Sequence, residues 1–179
     1  KETEEEAKIT AVKKAQEIII DAIQHGALNY LPEYTVSLIK IDSEDVKGRI
    51  IGKEGRNIRA FENASGVDVD LDEEGVIKLS SFDSVKREIA KQALEALIKD
   101  ARIQPVRIEE VLEIKKKEMA QVLLDEGEAL AHEVGAFSLP AELLSMLGRF
   151  KYRTSFGQNL VVHTSEVSKI AVALAEETG

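Results

Sequence analysis

The 179-residue sequence contains no cysteine and no tryptophan, and aromatic residues make up only 4% of it. Without cysteine the chain has no disulfide framework, no thiolate metal site and no thiol nucleophile. No stretch reaches the roughly 18 apolar residues that predict a membrane span, and no signal-peptide pattern opens the chain. Hydrophobic residues nevertheless make up 44% of the sequence, which excludes wholesale disorder and predicts a packed core.

Length and charge set further limits. A chain of this size predicts one ordinary domain, or one small domain with pieces of another. Because the sequence starts at Lys1 rather than methionine and stops at Gly179 directly after a helical pattern, we expect it to be part of a longer protein. The formal net charge of −9 argues against general nucleic-acid binding, so a nucleic-acid site would have to be local.

The first predicted segment is a helix within residues 1–33. Its apolar residues recur at a spacing that suits one helix face; they are Val12, Ala15, Ile19, Ala22 and Ile23. Only about two heptads are visible, too few to establish a coiled coil. The pattern alone leaves two interpretations open. It favours a solvated helix lying on the next domain, and the alternative is the end of a coiled coil.

Residues 34–103 predict a compact α+β domain. We expect a strand at 34–41, short helices at 46–51 and 57–64, strands at 67–71 and 76–79, and a long helix that Ser84 caps. Gly66 is the expected residue after the second helix. This order of strand, helix, helix, strand, strand and helix predicts one three-stranded sheet covered on one face by three helices.

Residues 104–179 predict an all-α region that looks unfinished. One helix begins at Gln104-Pro105, and a second begins near Pro140, which a first turn tolerates. A last helix, for which Ser155 and Gln158 fit a capping box, is expected to run towards Glu177. Its expected face carries His163, Val167, Ile170 and Leu174, and we expect Ile170 and Leu174 to be exposed.

The segment 46–60, VKGRIIGKEGRNIRA, has the most distinctive pattern. Gly52 and Gly55 bracket two polar residues between two short helices, so a ribose-phosphate backbone could approach the chain without meeting a Cβ. The start of the second helix favours a phosphate through its free amides and its dipole. Five basic residues accompany one acidic residue here. The predicted RNA-binding residues are Lys47, Arg49, Gly52, Lys53, Glu54, Gly55, Arg56, Asn57 and Arg59.

Spacing alone does not establish this function, since a GxxG segment occurs by chance in many loops and basic side chains can form a solvated face. The pattern Ile-Ile-Gly-x-x-Gly-x-x-Ile, in this order of elements, resembles the KH domain in its type I topology. The GxxG loop of such domains clamps four backbone nucleotides. The resemblance implies that bases of single-stranded RNA lie in an aliphatic groove between the second helix and the 67–71 strand. Backbone groups, with Arg59 or Lys78, would read their edges.

Longer stretches resemble the ribonuclease Y family over nearly the whole chain. They are VKGRIIGKEGRNIRAFENASGVDVDLD, LSSFDSVKREIAKQALEALIKDARIQPVRIEEV and MLGRFKYRTSFGQNLVVHTSEV. The resemblance implies a bacterial endoribonuclease that initiates mRNA decay at the cytoplasmic side of the cell membrane. It implies a membrane anchor, a coiled coil that forms homodimers, a KH domain, a metal-dependent HD domain and partners in an RNA-degradation complex. Residues 1–33 would then end the coiled coil, 34–103 would be the KH domain, and 104–179 would be a helical linker with the first part of the HD domain.

The same resemblance implies a divalent metal, Mn or Mg, bound by a histidine, a His-Asp pair and a final aspartate. His163 matches the first histidine, but the sequence contains no His-Asp dipeptide. We therefore expect a partial site, no tight metal binding and no nuclease activity from this chain alone, as a soluble piece of its parent. A lone histidine on an apolar helix face is, by pattern alone, more often a core residue. His25 and His132 lack partners at metal spacing and are interpreted as structural or surface residues.

Two functions of other classes stay open at this point. One is a non-catalytic KH adaptor that binds RNA and docks a protein partner through its helical half. The other is a dimerisation module in which the GxxG loop has lost its function.

Overall fold

The computed structural model describes residues 35–41, 43–155 and 157–179, together with Ala11, Lys14, Ala15 and Ile20. The chain divides into two compact units, Lys1–Pro32 and Glu33–Gly179. In the first unit the four described residues are helical. The rest of the predicted first helix lies outside the described residues, so the coiled coil stays a prediction.

The second unit begins with a three-stranded sheet and three helices. Strand β3 is central, and both β1 and β2 pair with it in antiparallel orientation. This confirms the predicted α+β class and the predicted order of elements. The elements are β1 (Val36–Lys40), α1 (Glu44–Ile51), α2 (Arg56–Ser65), β2 (Asp68–Asp70), β3 (Val76–Ser80) and α3 (Ser84–Asp100).

The strand register separates an inner from an outer sheet face. Ile39 lies opposite Ile77 and Val69 lies opposite Leu79, and Ile77 and Leu79 are fully buried under the helices. Successive side chains of a strand point to opposite faces. Lys78, between the two buried residues of β3, therefore lies on the outer face.

The core of this sheet domain continues into the helix that follows it. Helix α4 (Pro105–Glu133) begins with a proline at a position where no amide hydrogen bond is lost. Its residues Ile108, Val111 and Leu112, together with Ile103 before it, are buried in the same hydrophobic cluster as the sheet residues. The first turns of α4 are thus part of the core of the α+β domain.

The remaining chain is helical, as predicted, and it adds one short hairpin. Helix α5 (Ala141–Gly148) is followed by a 3₁₀ turn at Arg149–Tyr152, and helix α6 (Leu160–Thr178) ends the chain. Between them, strands β4 (Thr154–Ser155) and β5 (Gln158–Asn159) form an antiparallel pair. Among the residues that the structure describes, no helix combines the length and hydrophobicity needed to cross a membrane.

Three predicted helix starts are wrong in detail. Asp83, not Ser84, caps α3, because its carboxylate accepts from the amides of Val85 and Lys86. Ser155 and Gln158 do not form a capping box; they pair across the hairpin, and Asn159 caps α6 by accepting from the amide of Val161 at 2.9 Å. Pro140 precedes α5 as its N-cap rather than lying within its first turn. In the first two cases another polar residue of the same short segment is the N-cap.

Helices α4 and α5 pack closely through two glycines. A Cβ added at Gly127 would overlap the carbonyl oxygen of Leu144, and one added at Gly148 would overlap the carbonyl oxygen of Leu123. Both obstacles are backbone atoms, so no side-chain rotation relieves the overlap. The reciprocal arrangement shows that the two helices run antiparallel with their backbones in contact.

Helix α6 is held at its start and exposed along the rest of its length. The Glu133 carboxylate accepts from the Ser165 hydroxyl at 2.6 Å and from the Lys169 ammonium at 2.8 Å. Ile170 and Leu174 are 59% and 56% exposed, which agrees with the prediction for these two residues.

Asp83 also connects the α+β domain to the helical region. The Arg149 guanidinium lies 3.1 Å from one Asp83 carboxylate oxygen. Burial raises the pKa of Asp83, but the amide hydrogen bonds from Lys86 and Val85 and the charge of Arg149 outweigh this effect. The net result is a pKa below the ordinary value of 3.8.

We expect Gly127→Ala and Gly148→Ala each to destabilise the protein by about 1–3 kcal/mol, the usual range for an overpacked core. The measurement is the thermal midpoint of each variant. Gly48→Ala is the matched control, because a Cβ at Gly48 meets nothing within 4 Å. It should leave the midpoint unchanged or raise it, since alanine is the better helix residue. Equal midpoints for all three variants would contradict the close contact of α4 with α5.

The lowered pKa of Asp83 predicts an acid-dependent contribution to stability. A carboxyl group whose pKa is lower in the folded state stabilises the fold above its unfolded pKa and loses this effect as the pH falls through the folded pKa. The stability difference between the wild type and Asp83→Asn should therefore be constant at neutral pH, begin to fall near pH 3.8 and disappear only below the lower pKa of the folded state. Denaturant titrations at several pH values measure it, and a difference that persists at low pH would contradict the ionic origin.

Candidate nucleic-acid interface

The GKEG loop between α1 and α2 has an unusual backbone. Gly52 has φ 69° and ψ 175°, a combination that is essentially restricted to glycine. Gly55 is also left-handed, with φ 73° and ψ 16°. The two glycines therefore allow the chain to leave α1, make a tight turn over Lys53 and Glu54 and enter α2, with backbone exposed at the turn.

Glu54 adopts the same left-handed region although it has a side chain. Its φ is 56° and its ψ is 26°, which for a non-glycine residue costs about 1–2 kcal/mol. The Arg59 guanidinium donates a hydrogen bond to the Glu54 carbonyl and so helps to hold this conformation. Strained backbone of this kind concentrates at ligand-binding sites, so it marks the loop as a functional candidate.

Asn57 supports the loop from beneath. Its side-chain amide donates to the carbonyl of Arg49, at the end of α1, and to the carbonyl of Ile103, each at 2.9 Å. A Cβ at Gly52 would lie 2.5 Å from the Asn57 amide nitrogen. Asn57 is only 4% exposed, so it faces the interior, contrary to the prediction that it contacts RNA.

The sequence contains a signal for this inward orientation. Asn57, Phe61 and Ser65 are the buried residues of α2, and they recur every four residues along it. That spacing places Asn57 on the apolar face of the helix. The nearby basic residues Arg56 and Arg59 led instead to the prediction that Asn57 contacts RNA.

The cationic side chains around the loop are exposed, except for half-buried Lys47. Within the described part of the chain, none of these cations forms an ion pair with a carboxylate. Their charges are thus available to an anionic ligand next to the first turn of α2. The exposed members of the group are Arg49, Lys53, Arg56 and Arg59.

The opposite side of the domain is acidic. Asp68 and Asp70 of β2 are exposed, and Asp72 to Glu74 follow in the turn before β3. Lys78 pairs with Glu73, and this hydrogen bond raises the pKa of Lys78. Because Lys78 also lies on the outer sheet face, it does not face a groove between α2 and β2, and the expectation that it reads bases there is wrong.

Between α2 and β2 the inward side chains are aliphatic and aromatic. Ile58, Phe61 and Val69 line an apolar gap in the core that is too small to admit a water molecule. The backbone amide of Val69 donates to the Glu62 carboxylate at 3.1 Å, so one α2 side chain bridges to the free edge of β2.

Neither of the two described histidines belongs to a metal site. His163 is exposed on α6, His132 makes an edge-to-face contact with Phe137 at 5.5 Å between ring centres, and His25 lies outside the described residues. Among the residues that the structure describes, no group of three histidine, aspartate or glutamate side chains could hold a metal ion. The described residues therefore do not fit a resident divalent metal.

Comparison with known proteins identifies both the domain and its relatives. A KH domain model matches residues 35–96. Ribonuclease Y of Lactobacillus johnsonii is 49% identical over 97% of this chain and 32% of its own length. Ribonuclease Y of Alkaliphilus metalliredigens is 49% identical over 100% of this chain and 38% of its own length, and that of Thermoanaerobacter pseudethanolicus is 48% identical over 100% and 35%.

No solved structure matches the chain. The chain spans about a third of the length of the curated relatives it matches. Taken with the three-stranded sheet and the GKEG loop, these matches show that the chain contains a KH domain and that it is a member of the ribonuclease Y family over the part of those proteins that it matches.

Proposed function

We propose that this chain is the RNA-binding portion of a bacterial endoribonuclease that initiates mRNA decay, and that single-stranded RNA binds at the GKEG loop. The observation that carries the proposal is the loop itself. It presents strained backbone, two glycines and cations that pair with no carboxylate of the described residues, at the first turn of α2. These features suit a sugar-phosphate backbone, which needs close approach and positive charge.

In this proposal each loop residue has a distinct task. Gly52 and Gly55 allow the RNA backbone to approach, and Lys53 and Arg56 neutralise phosphates at the start of α2, where the helix dipole favours negative charge. Lys47 and Arg49 extend the positive charge along α1. Asn57 acts as a positioning residue, because it holds the end of α1 against the linker at Ile103. Such contacts supply affinity that depends strongly on salt and carries little sequence information.

Cleavage is assigned to the longer parent protein. A divalent ion, Mn or Mg, would activate water and stabilise charge on the phosphodiester in a complete HD domain. His163 would be one ligand of that site, but the described residues do not supply the others. We further propose, from the family membership alone, a homodimeric parent held at the cytoplasmic face of the membrane and associated with other RNA-degrading proteins.

Reversing one loop charge should weaken RNA binding. We expect Lys53→Glu to raise the Kd for a fluorescein-labelled single-stranded RNA by at least about fivefold and to flatten the salt dependence by roughly 0.7 in log–log slope. Fluorescence anisotropy at several salt concentrations measures both quantities. A substitution at Gly52 would be a less direct test, because its side chain would displace the buried Asn57.

Lys86→Glu is the matched control for this charge reversal. Lys86 is exposed at the start of α3, whereas Ile103, which contacts Asn57, follows the end of that helix. A glutamate three residues after the N-cap is also well tolerated in a helix. Equal losses of affinity in Lys53→Glu and Lys86→Glu would mean that the overall charge, and not the loop, governs binding.

We expect the 179-residue chain to bind RNA without cutting it in the presence of Mg²⁺ or Mn²⁺. Gel analysis of a labelled transcript measures cleavage, and the full-length Thermoanaerobacter pseudethanolicus relative, named a ribonuclease, serves as the positive control. Metal-dependent cleavage by the short chain that His163→Ala abolishes would contradict the assignment of catalysis to the longer protein.

A further inference from the structure

A hydrogen bond joins the Glu62 carboxylate of α2 to the backbone amide of Val69 in β2. The bases of bound RNA are expected to lie between these two elements. Val69 is the middle residue of β2, and β2 is an edge strand that pairs only with β3. Its amide points away from β3 and towards α2, where one Glu62 carboxylate oxygen accepts it at 3.1 Å. The carboxylate is therefore held at a fixed place between the helix and the strand edge.

Glu62 also lies on the helix face that continues from the GKEG loop. It follows Gly55 by seven residues and Arg59 by three, which are spacings that align side chains along one face. Its Cα is about 10 Å from that of Gly55 along the helix axis, at 1.5 Å per residue. An RNA backbone held at the loop would thus bring a neighbouring base within reach of Glu62.

Only one oxygen of this carboxylate has a hydrogen-bond partner among the described residues. Oε1 accepts from Val69, and Oε2 has no hydrogen-bond partner within the described ranges of the chain. The side chain is half-buried, so its orientation is restricted by its surroundings as well as by the bond. An ionised carboxylate can only accept hydrogen bonds, and the base edges that it pairs with are those that donate, such as the amino group of cytosine.

We propose that Glu62 is a specificity-determining residue that accepts a hydrogen bond from the amino group of a base, so that the groove favours amino-bearing bases over uracil. This inference rests on the proposed RNA-binding function and adds the class of base that the site selects. Uracil presents a carbonyl oxygen where cytosine presents its amino group, and that oxygen would face the free carboxylate oxygen. Uracil is thus disfavoured by repulsion between two acceptors.

The decisive variant is Glu62→Gln. Glutamine keeps a carbonyl oxygen for the Val69 amide, but its other terminal atom is an NH₂ donor instead of an acceptor. The substitution therefore reverses the hydrogen-bonding character of the free atom and leaves the bridge to β2 in place. The matched control is Glu95→Gln, which removes the same charge from an exposed position on α3.

The experiment compares oligo(C) with oligo(U) of equal length, by fluorescence anisotropy at one salt concentration. We expect the wild type and Glu95→Gln to bind oligo(C) about fivefold more tightly than oligo(U), or better, which corresponds to one good base contact. Glu62→Gln should abolish or reverse this preference. Hydrogen exchange of the Val69 amide, measured by NMR, should be as slow in Glu62→Gln as in the wild type and faster in Glu62→Ala.

The outcomes separate this inference from the proposed function. If the wild type binds neither oligonucleotide, the proposed function itself fails. If it binds both, and the ratio of the two affinities is near one or is unchanged in Glu62→Gln, Glu62 only closes the sheet edge and the inference is overturned. A Glu62→Gln variant that loses Val69 protection together with all RNA affinity would likewise show that Glu62 acts through folding of the groove.

Discussion

The side-chain amide of Asn57 makes the pair of hydrogen bonds on which the arrangement of this domain depends. It donates to the carbonyl of Arg49, in the last turn of α1, and to the carbonyl of Ile103, which lies 46 residues further along the chain. A buried donor that is left unpaired costs about 1–3 kcal/mol, so these two bonds strongly constrain where α1, the GKEG loop and the linker can lie. Asn57 fills the space beneath Gly52, so a side chain at position 52 would collide with it.

The same contact explains why the α+β domain and the helix after it cannot be treated as separate pieces. Ile103, Ile108, Val111 and Leu112 are buried with the sheet residues, so the KH core extends into the first turns of α4. Further along, α4 packs against α5 with the backbones touching at Gly127 and Gly148. Packing thus continues from the α+β core through α4 to α5, and the ion pair of Asp83 with Arg149 adds a second link between the α+β domain and the helical region.

Charge is distributed so that an acidic chain can carry a local cationic site. The net charge is −9, yet the exposed cations beside the GKEG loop have no carboxylate partner among the described residues. Five acidic residues cluster on β2 and the turn after it, where Glu73 pairs with Lys78. Because exposed charges are screened beyond about 8–10 Å at moderate ionic strength, the loop can attract an anion although the molecule as a whole repels it. In the proposed complex, the acidic residues of β2 and the following turn would repel the phosphate backbone. The backbone would then stay on the α1–α2 side, with base edges facing β2.

The sequence alone determined the class of fold, the order of its elements and the position of the loop, because these depend on local periodicity and on glycines whose backbone roles are local. The alternation of Val67, Val69 and Leu71 predicted β2, and Gly66 predicted the end of α2. Four features follow only from the three-dimensional packing: Asn57 faces inward, Lys78 lies on the outer sheet face, Ser155 and Gln158 pair in a hairpin, and Glu62 bridges to Val69. Each of these depends on an atom that is distant in the chain or on the sheet register, and a pattern of neighbouring residues does not contain that information.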